Sequence, residues 1–202
     1  MIKTTAIIAT LLTIFNYNVK CGKTSTPLSY EDRKEGDRII MVQHFGEQVS
    51  TFTMDSQYRT LEFKIVSKKE NTDASIVLKD GVYRLKGTVR GKAVDKTVKS
   101  KGDPWYQPIG YVLGRIIDGK KSVTYECFNP QDFEFHPMIV KVEGEEMYEG
   151  QKAVKVRSNA TGGLAKLWHC YYFYDPETLV QNGYKAVEGV PGTPETTWSV
   201  VK

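Results

Sequence analysis

The sequence predicts a mostly β fold, a curved antiparallel sheet or open β-barrel with one main α-helix at about residues 105–117. Three observations lead there. Short runs rich in β-branched and aromatic residues recur along most of the chain, broken by turn residues at intervals of roughly 8 to 15 positions. Within those runs apolar and polar residues alternate with a period of two, the pattern of strands with one face buried. One stretch alone changes to a helical period.

At the N-terminus, Lys3 is the only charge ahead of the apolar run Ala6 to Phe15, and polar Asn16, Tyr17 and Asn18 follow it. That is the three-part layout of a secretory signal peptide, expected over residues 1–21. The run is about half of the roughly 20 residues that a membrane-spanning helix needs. An alternative makes Cys21 the lipid-modified first residue of a lipoprotein, which would tether the chain to a membrane. Against it, Asn18, Val19 and Lys20 are unlike the small residues that precede such a cysteine. Residues 22–36 carry few large apolar groups and read as a flexible lead-in, so a single β-rich domain is expected over residues 37–202.

Arg38 to Phe45 and Val49 to Met54 flank Gly46-Glu47-Gln48, a hairpin with glycine in its loop. In Tyr58 to Val66, Leu61, Phe63 and Ile65 fall on one face and Thr60, Glu62 and Lys64 on the other. Ser75 to Leu78 and Val82 to Val89 flank Asp80-Gly81, a strong hairpin signal, and Ala93 to Val98 supplies a further antiparallel partner. Then Ile109, Val112, Leu113, Ile116 and Ile117 form the stripe of an amphipathic helix, opened by Pro104 or Pro108 and closed by Gly119. Gly110 and Gly114, four apart, suit close backbone packing on one flank. Strands resume at Ser122 to Phe128, Met138 to Val142, Ala153 to Ser158, Leu164 to Tyr174 and Thr178 to Lys185, with Thr196 to Val201 expected as a last edge strand.

The composition is ordinary for a globular chain, with 40% hydrophobic and 26% charged residues. Lys3 and Lys20 leave with the leader, and the formal charge then falls from +4 to +2. A near-neutral surface without clustered Lys and Arg argues against nucleic acid as a partner. With Cys21 removed or acylated, Cys127 and Cys170 remain, an even pair that favours a disulfide in an oxidising compartment. Two buried free thiols are the alternative.

The segment Leu167 to Tyr174 concentrates aromatic groups with His169 and Cys170. On a strand these two neighbours point to opposite faces, so they cannot form the hydrogen-bonded pair that a thiol nucleophile requires. A strand apolar on both sides is either covered twice or has one face on a cavity. Buried phenols and indoles want polar partners, and Trp105, Trp168, Tyr172 and Tyr174 are the candidate lining of a pocket for an apolar ligand. His44, His136 and His169 lack the short spacings of a zinc site. No phosphate loop, dinucleotide fingerprint or serine-nucleophile elbow occurs, so no catalytic residue, metal or cofactor is assigned.

"PWYQPIGYVLGRIIDGKKSVTYECFNP", "MIVKVEGEEMYEGQKAVKVRS" and "LWHCYYFYDPETL", in that order, resemble uncharacterised exported bacterial envelope proteins. Their folds are similar to the curved, one-helix-backed sheets of LolA-type lipoprotein carriers. The resemblance covers roughly residues 104 to 185 and rests on turn and strand punctuation. It implies a periplasmic or cell-surface protein. The expected function is non-enzymatic binding of an apolar or amphipathic, lipid-like molecule, as a carrier or sensor. A structural or protein-interaction module of the envelope is the alternative, and a hydrolase or isomerase with scattered site residues is the third.

Overall fold

The computed structural model describes residues 13–130, 133–161, 169–187 and 195–201. Its strands are β1 (Thr13–Cys21), β2 (Thr24–Glu35), β3 (Arg38–Phe45), β4 (Gln48–Met54), β5 (Thr60–Ser67), β6 (Thr72–Lys79), β7 (Val82–Val89) and β8 (Lys92–Lys99). After helix α1 (Ile109–Ile116) follow β9 (Ser122–Asn129), β10 (Glu134–Tyr148), β11 (Gln151–Ala160), β12 (His169–Tyr174), β13 (Gln181–Val187) and β14 (Glu195–Val200).

Among the described residues all fourteen strands belong to one antiparallel sheet, in the order β8-β7-β6-β5-β4-β3-β2-β1-β14-β13-β12-β11-β10-β9. Consecutive strands are neighbours everywhere except between β8 and β9, and the first strand pairs with the last. The architecture is therefore an up-and-down barrel left open at one seam. Residues 100–107 run along that seam. Trp105 bridges Glu126 in parallel, Glu126 N–H donates to the Pro104 carbonyl at 2.9 Å, and Thr60 N–H donates to the Trp105 carbonyl at 2.8 Å. Lys96 of β8 reaches Glu134 of β10 at 2.7 Å. The β8 sequence, KAVDKTVK, carries four charges in eight residues, which discourages further strand pairing at this edge.

Alternation places Tyr30, Met41, Phe52, Phe63, Ile76 and Leu85 from the first half, and Val140, Val156, Tyr172 and Tyr174 from the second, in one core. Each large apolar side chain so buried contributes on the order of 1.5–3 kcal/mol. The helix joins this core through Val112, Leu113 and Ile116.

The aromatic strand β12 is covered on both sides. Cys170, Tyr172 and Tyr174 enter the core, while Phe173 on the other face lies beneath Tyr148, the rings 3.9 Å apart and 15° from parallel. Tyr148 reaches it because β10 carries a bulge between Val142 and Gly144 that bends the β10–β11 hairpin. The missing side chain of Gly183 leaves room for the Tyr148 ring, and the Tyr148 hydroxyl donates to the Trp198 carbonyl at 3.2 Å.

Several boundaries differ from the sequence expectation. Residues 13–21, assigned to a leader, form β1, which is hydrogen-bonded to β2 and β14 and buries Tyr17 and Val19; removal through Cys21 would delete an interior strand. Residues 22–36, assigned to a flexible lead-in, contain β2, whose sparse apolar positions Leu28 and Tyr30 both face the core. Thr196 to Val201 supply an interior strand rather than an edge, because β1 pairs with β14. The helix starts at Ile109 instead of about residue 105, since residues 104–106 spend their backbone groups on Glu126 and Thr60. Cys127 and Cys170 both remain reduced, and the expected disulfide is not formed. They lie on β9 and β12 with β10 and β11 between them, and strands about 4.8 Å apart place them well outside the separation a disulfide accepts.

Candidate functional site

The helix sits across one end of the concave face, and two glycines set how closely it lies. A Cβ on Gly114 would collide with the Leu179 carbonyl and the Tyr174 ring, and one on Gly110 would collide with the Gln181 side chain. Tyr174 fastens this flank by donating its hydroxyl to the Gly110 carbonyl at 3.0 Å. The facing turn after β12 is shaped by Asp175, whose Oδ1 accepts from Glu177 N–H, Thr178 N–H and the Thr178 hydroxyl, holding its carboxyl below the usual range.

The other flank of α1 makes the rim of the site. Tyr111 donates its hydroxyl to Asp32 Oδ2 at 2.9 Å, and its ring neighbours those of Phe15, Tyr30 and Tyr58 at centroid distances of 6.3 to 6.4 Å. One turn on, the guanidinium of Arg115 lies 3.9 Å from the Tyr111 ring centroid and 5.4 Å from that of Tyr58, while its Nη1 donates to the Tyr111 carbonyl at 2.8 Å. Such cation–π stacking holds a charge against an aromatic wall at modest desolvation cost. Phe15, Tyr58 and Arg115 are partly exposed, and among the described residues no carboxylate pairs with Arg115 at ion-pair distance. Asp32 keeps one oxygen, Oδ1, buried without a hydrogen-bond partner.

Burial pushes the Tyr111 and Tyr17 phenols above their ordinary range, with Arg115 opposing the shift in both. Tyr30, Tyr125, Tyr172 and Tyr174 are likewise shifted upward by burial. These hydroxyls stay protonated near neutrality, and those of Tyr17, Tyr111 and Tyr174 donate to the Gln181 carbonyl, Asp32 and the Gly110 carbonyl. The arrangement offers the partly exposed rings of Phe15 and Tyr58 beside a cation that no described carboxylate pairs, which suits contact with a molecule that has an apolar body and an acidic head.

Of the four lining candidates, Tyr172 and Tyr174 lie together on the inner face of β12, ring centroids 6.4 Å apart, 5% and 0% exposed. Trp105 is separate from them. It is fully buried at the seam, edge-on to the stacked rings of Tyr83 and Phe135, with Nε1 donating to Gln107 Oε1 at 3.0 Å. Trp168 lies outside the described residues. Sequence reasoning missed Phe15, Asp32, Tyr58, Tyr111 and Arg115. The four-residue spacing of Tyr111 and Arg115 on a helix was the one available signal. Phe15 and Asp32 were hidden in segments read as leader and lead-in. An open depression of about 380 Å³ lies across β1 to β3, lined by Asn16, Ser29 and His44 among others.

No family model matches the chain. No curated protein matches it either. Among solved structures, a β-barrel-like protein of the domain of unknown function DUF1849 from Brucella abortus overlays with a TM-score of 0.62 at 11% identity, over 95% of this chain and 96% of that one. This establishes a shared fold along the whole chain, and the expected likeness to an uncharacterised bacterial protein with a curved sheet holds at that level. A DUF1329 family protein from Desulfovibrio piger has a TM-score of 0.32 at 8% identity, over 96% of this chain and 85% of that one. The Mycobacterium tuberculosis lipoprotein LppX has 0.29 at 8% identity, over 95% and 86%. Scores this low add nothing to the fold assignment.

Proposed function

We propose that the protein binds an apolar or amphipathic, lipid-like molecule without chemical conversion, as a carrier or sensor exported to a bacterial periplasm or cell surface. The rim of α1 carries this reading: Arg115, stacked on Tyr111 and Tyr58 and unpaired by any described carboxylate, stands where the aromatic interior meets solvent. An acidic head would pair with the guanidinium while the apolar body lies against Phe15 and the neighbouring rings. Export is supported by the apolar N-terminal run behind Lys3. On this reading any cleavage falls ahead of Thr13, so that β1 is retained in the sheet.

Native mass spectrometry of gently purified protein, followed by titration with a fluorescent long-chain fatty acid, tests the proposal. A co-purifying lipid-like mass and a roughly tenfold loss of fatty-acid affinity in Arg115→Gln are expected, about 1.4 kcal/mol. Absence of any bound mass, together with equal affinity in the variant, would overturn it. The alternative of an envelope interaction module draws on the outer edge of β8, which pairs on one side only among the described residues. In that case pull-down from envelope extract yields a stoichiometric protein partner and no lipid.

A further inference from the structure

A row of side chains crosses the outer face of the second half of the sheet, away from the helix and its rim. The strand register aligns Lys141 of β10, Arg157 of β11, Tyr171 of β12, Lys185 of β13, Thr197 of β14 and Lys20 of β1. Lys141 and Arg157 are therefore direct cross-strand partners of like charge, a pairing that costs stability when nothing neutralises it. Nearby cations are neutralised: Lys185 pairs with Glu195 at 3.2 Å, and Lys155 with Glu146 at 3.1 Å. Lys141 and Arg157 have no carboxylate at ion-pair distance among the described residues.

A second observation falls at the same place. Arg157 Nε is buried without a hydrogen-bond partner, and so is Nδ1 of His169. Arg157 is opposite Tyr171 and Asn159 is opposite His169, so Arg157 and His169 are diagonal neighbours on one face. Both nitrogens can donate to an oxygen. Tyr171 is the cross-strand partner of Arg157 and stands two residues from His169 on the same face, with the His169 ring edge-on at 5.3 Å and the Lys155 ammonium 4.5 Å from its ring centroid. Two buried donors without acceptors, beside a like-charged pair without a counter-ion, share one remedy: a tetrahedral oxyanion. A guanidinium fork matches phosphate oxygens in geometry as well as charge.

We infer that the outer face of β10–β12 holds a phosphate group between Arg157, Lys141 and His169, either as a free ion or on a lipid headgroup. This site is independent of the rim at Arg115, on the opposite face of the sheet.

Calorimetric titration with potassium phosphate, in a background of potassium chloride at constant ionic strength, measures the site directly. Saturable binding is expected in the wild type, at least fivefold weaker in Arg157→Gln and at least threefold weaker in Lys141→Gln, an exposed position whose substitution leaves folding intact. Arg115→Gln should retain wild-type phosphate affinity, which keeps this outcome separate from that of the ligand proposal. Flotation with phosphatidylglycerol vesicles, against phosphatidylcholine vesicles, distinguishes the sources. Flotation lost in Arg157→Gln identifies the headgroup, and binding of phosphate without flotation identifies the free ion. Absence of both, or phosphate binding equal in Lys141→Gln and the wild type, would overturn the inference.

Discussion

Tyr83 on β7 donates its hydroxyl to the carboxyl group of Glu126 on β9, so one buried hydrogen bond joins the two sides of the open seam. The same carboxyl accepts from the Ser100 hydroxyl at 3.1 Å and from the Lys101 N–H. Glu126 is 1% exposed and Tyr83 0%, so the Tyr83 hydroxyl has no water to turn to in place of this carboxyl. Replacing Glu126 with Ala should cost about 1–3 kcal/mol, because it leaves the buried Tyr83 hydroxyl without its acceptor, whereas Tyr83→Phe should cost about 1–2 kcal/mol. Urea unfolding of both variants and the double variant checks this. Additive losses would show that the residues do not act as one unit.

Gly114→Ala separates helix propensity from packing. In an exposed helix the substitution would stabilise by about 1 kcal/mol. Here the new methyl group meets the Leu179 carbonyl and the Tyr174 ring, and a net loss of about 1–3 kcal/mol is expected. A rise in melting temperature would show that α1 is not pressed against this turn.

Thiol labelling should divide the three cysteines. Cys21 is exposed, Cys170 is buried, and burial followed by the proximity of Cys170 pushes the Cys127 thiol up to about 12. At pH 8 the Cys127 thiolate fraction is then about one in ten thousand, and the thiolate is the reacting species. One fast-labelling thiol at Cys21 is expected in the native protein and three after denaturation, read by mass spectrometry.

Alkaline stability follows from the buried phenols. Burial, reinforced by Glu149 and Glu195, pushes Tyr148 up to about 12, and core tyrosines such as Tyr17 and Tyr30 shift further in the same direction. The folded state holds these protons more tightly than the unfolded chain, which releases them near pH 10. Their contribution is complete below about pH 10 and is lost as pH rises towards 12 and beyond. Unfolding free energy should therefore fall over that window, and tyrosinate absorbance should rise together with loss of the native circular dichroism. Early absorbance with the fold intact would contradict the burial.

The hairpins were readable where alternation and turn chemistry agree, as at Val82 to Val89 beside Asp80-Gly81, which forms β7 with its expected bounds. The first two strands were obscured for separate reasons. The apolar run to Phe15 continues into Tyr17 and Val19, so leader-like and strand-like signals overlap. In Thr24–Glu35 only Leu28 and Tyr30 provide large inward apolar groups, too few to mark a period. The rim joins residues 15, 32, 58, 111 and 115, which no local pattern brings together. Likewise, the opposition of Lys141 and Arg157 depends on a strand register that hairpin length and the bulge at Val142/Gly144 establish together.

Because β1 and β14 are partners, synthesis and folding run on different clocks. The first strand to leave the ribosome presents an unsatisfied edge until the last has been translated, and almost the whole polypeptide must be closed into a loop to join them. Long-range closure of this kind is slow and exposes the nascent chain to mispairing. Until β14 is made, β1 can pair with β2 alone, and its other edge stays open to mispairing.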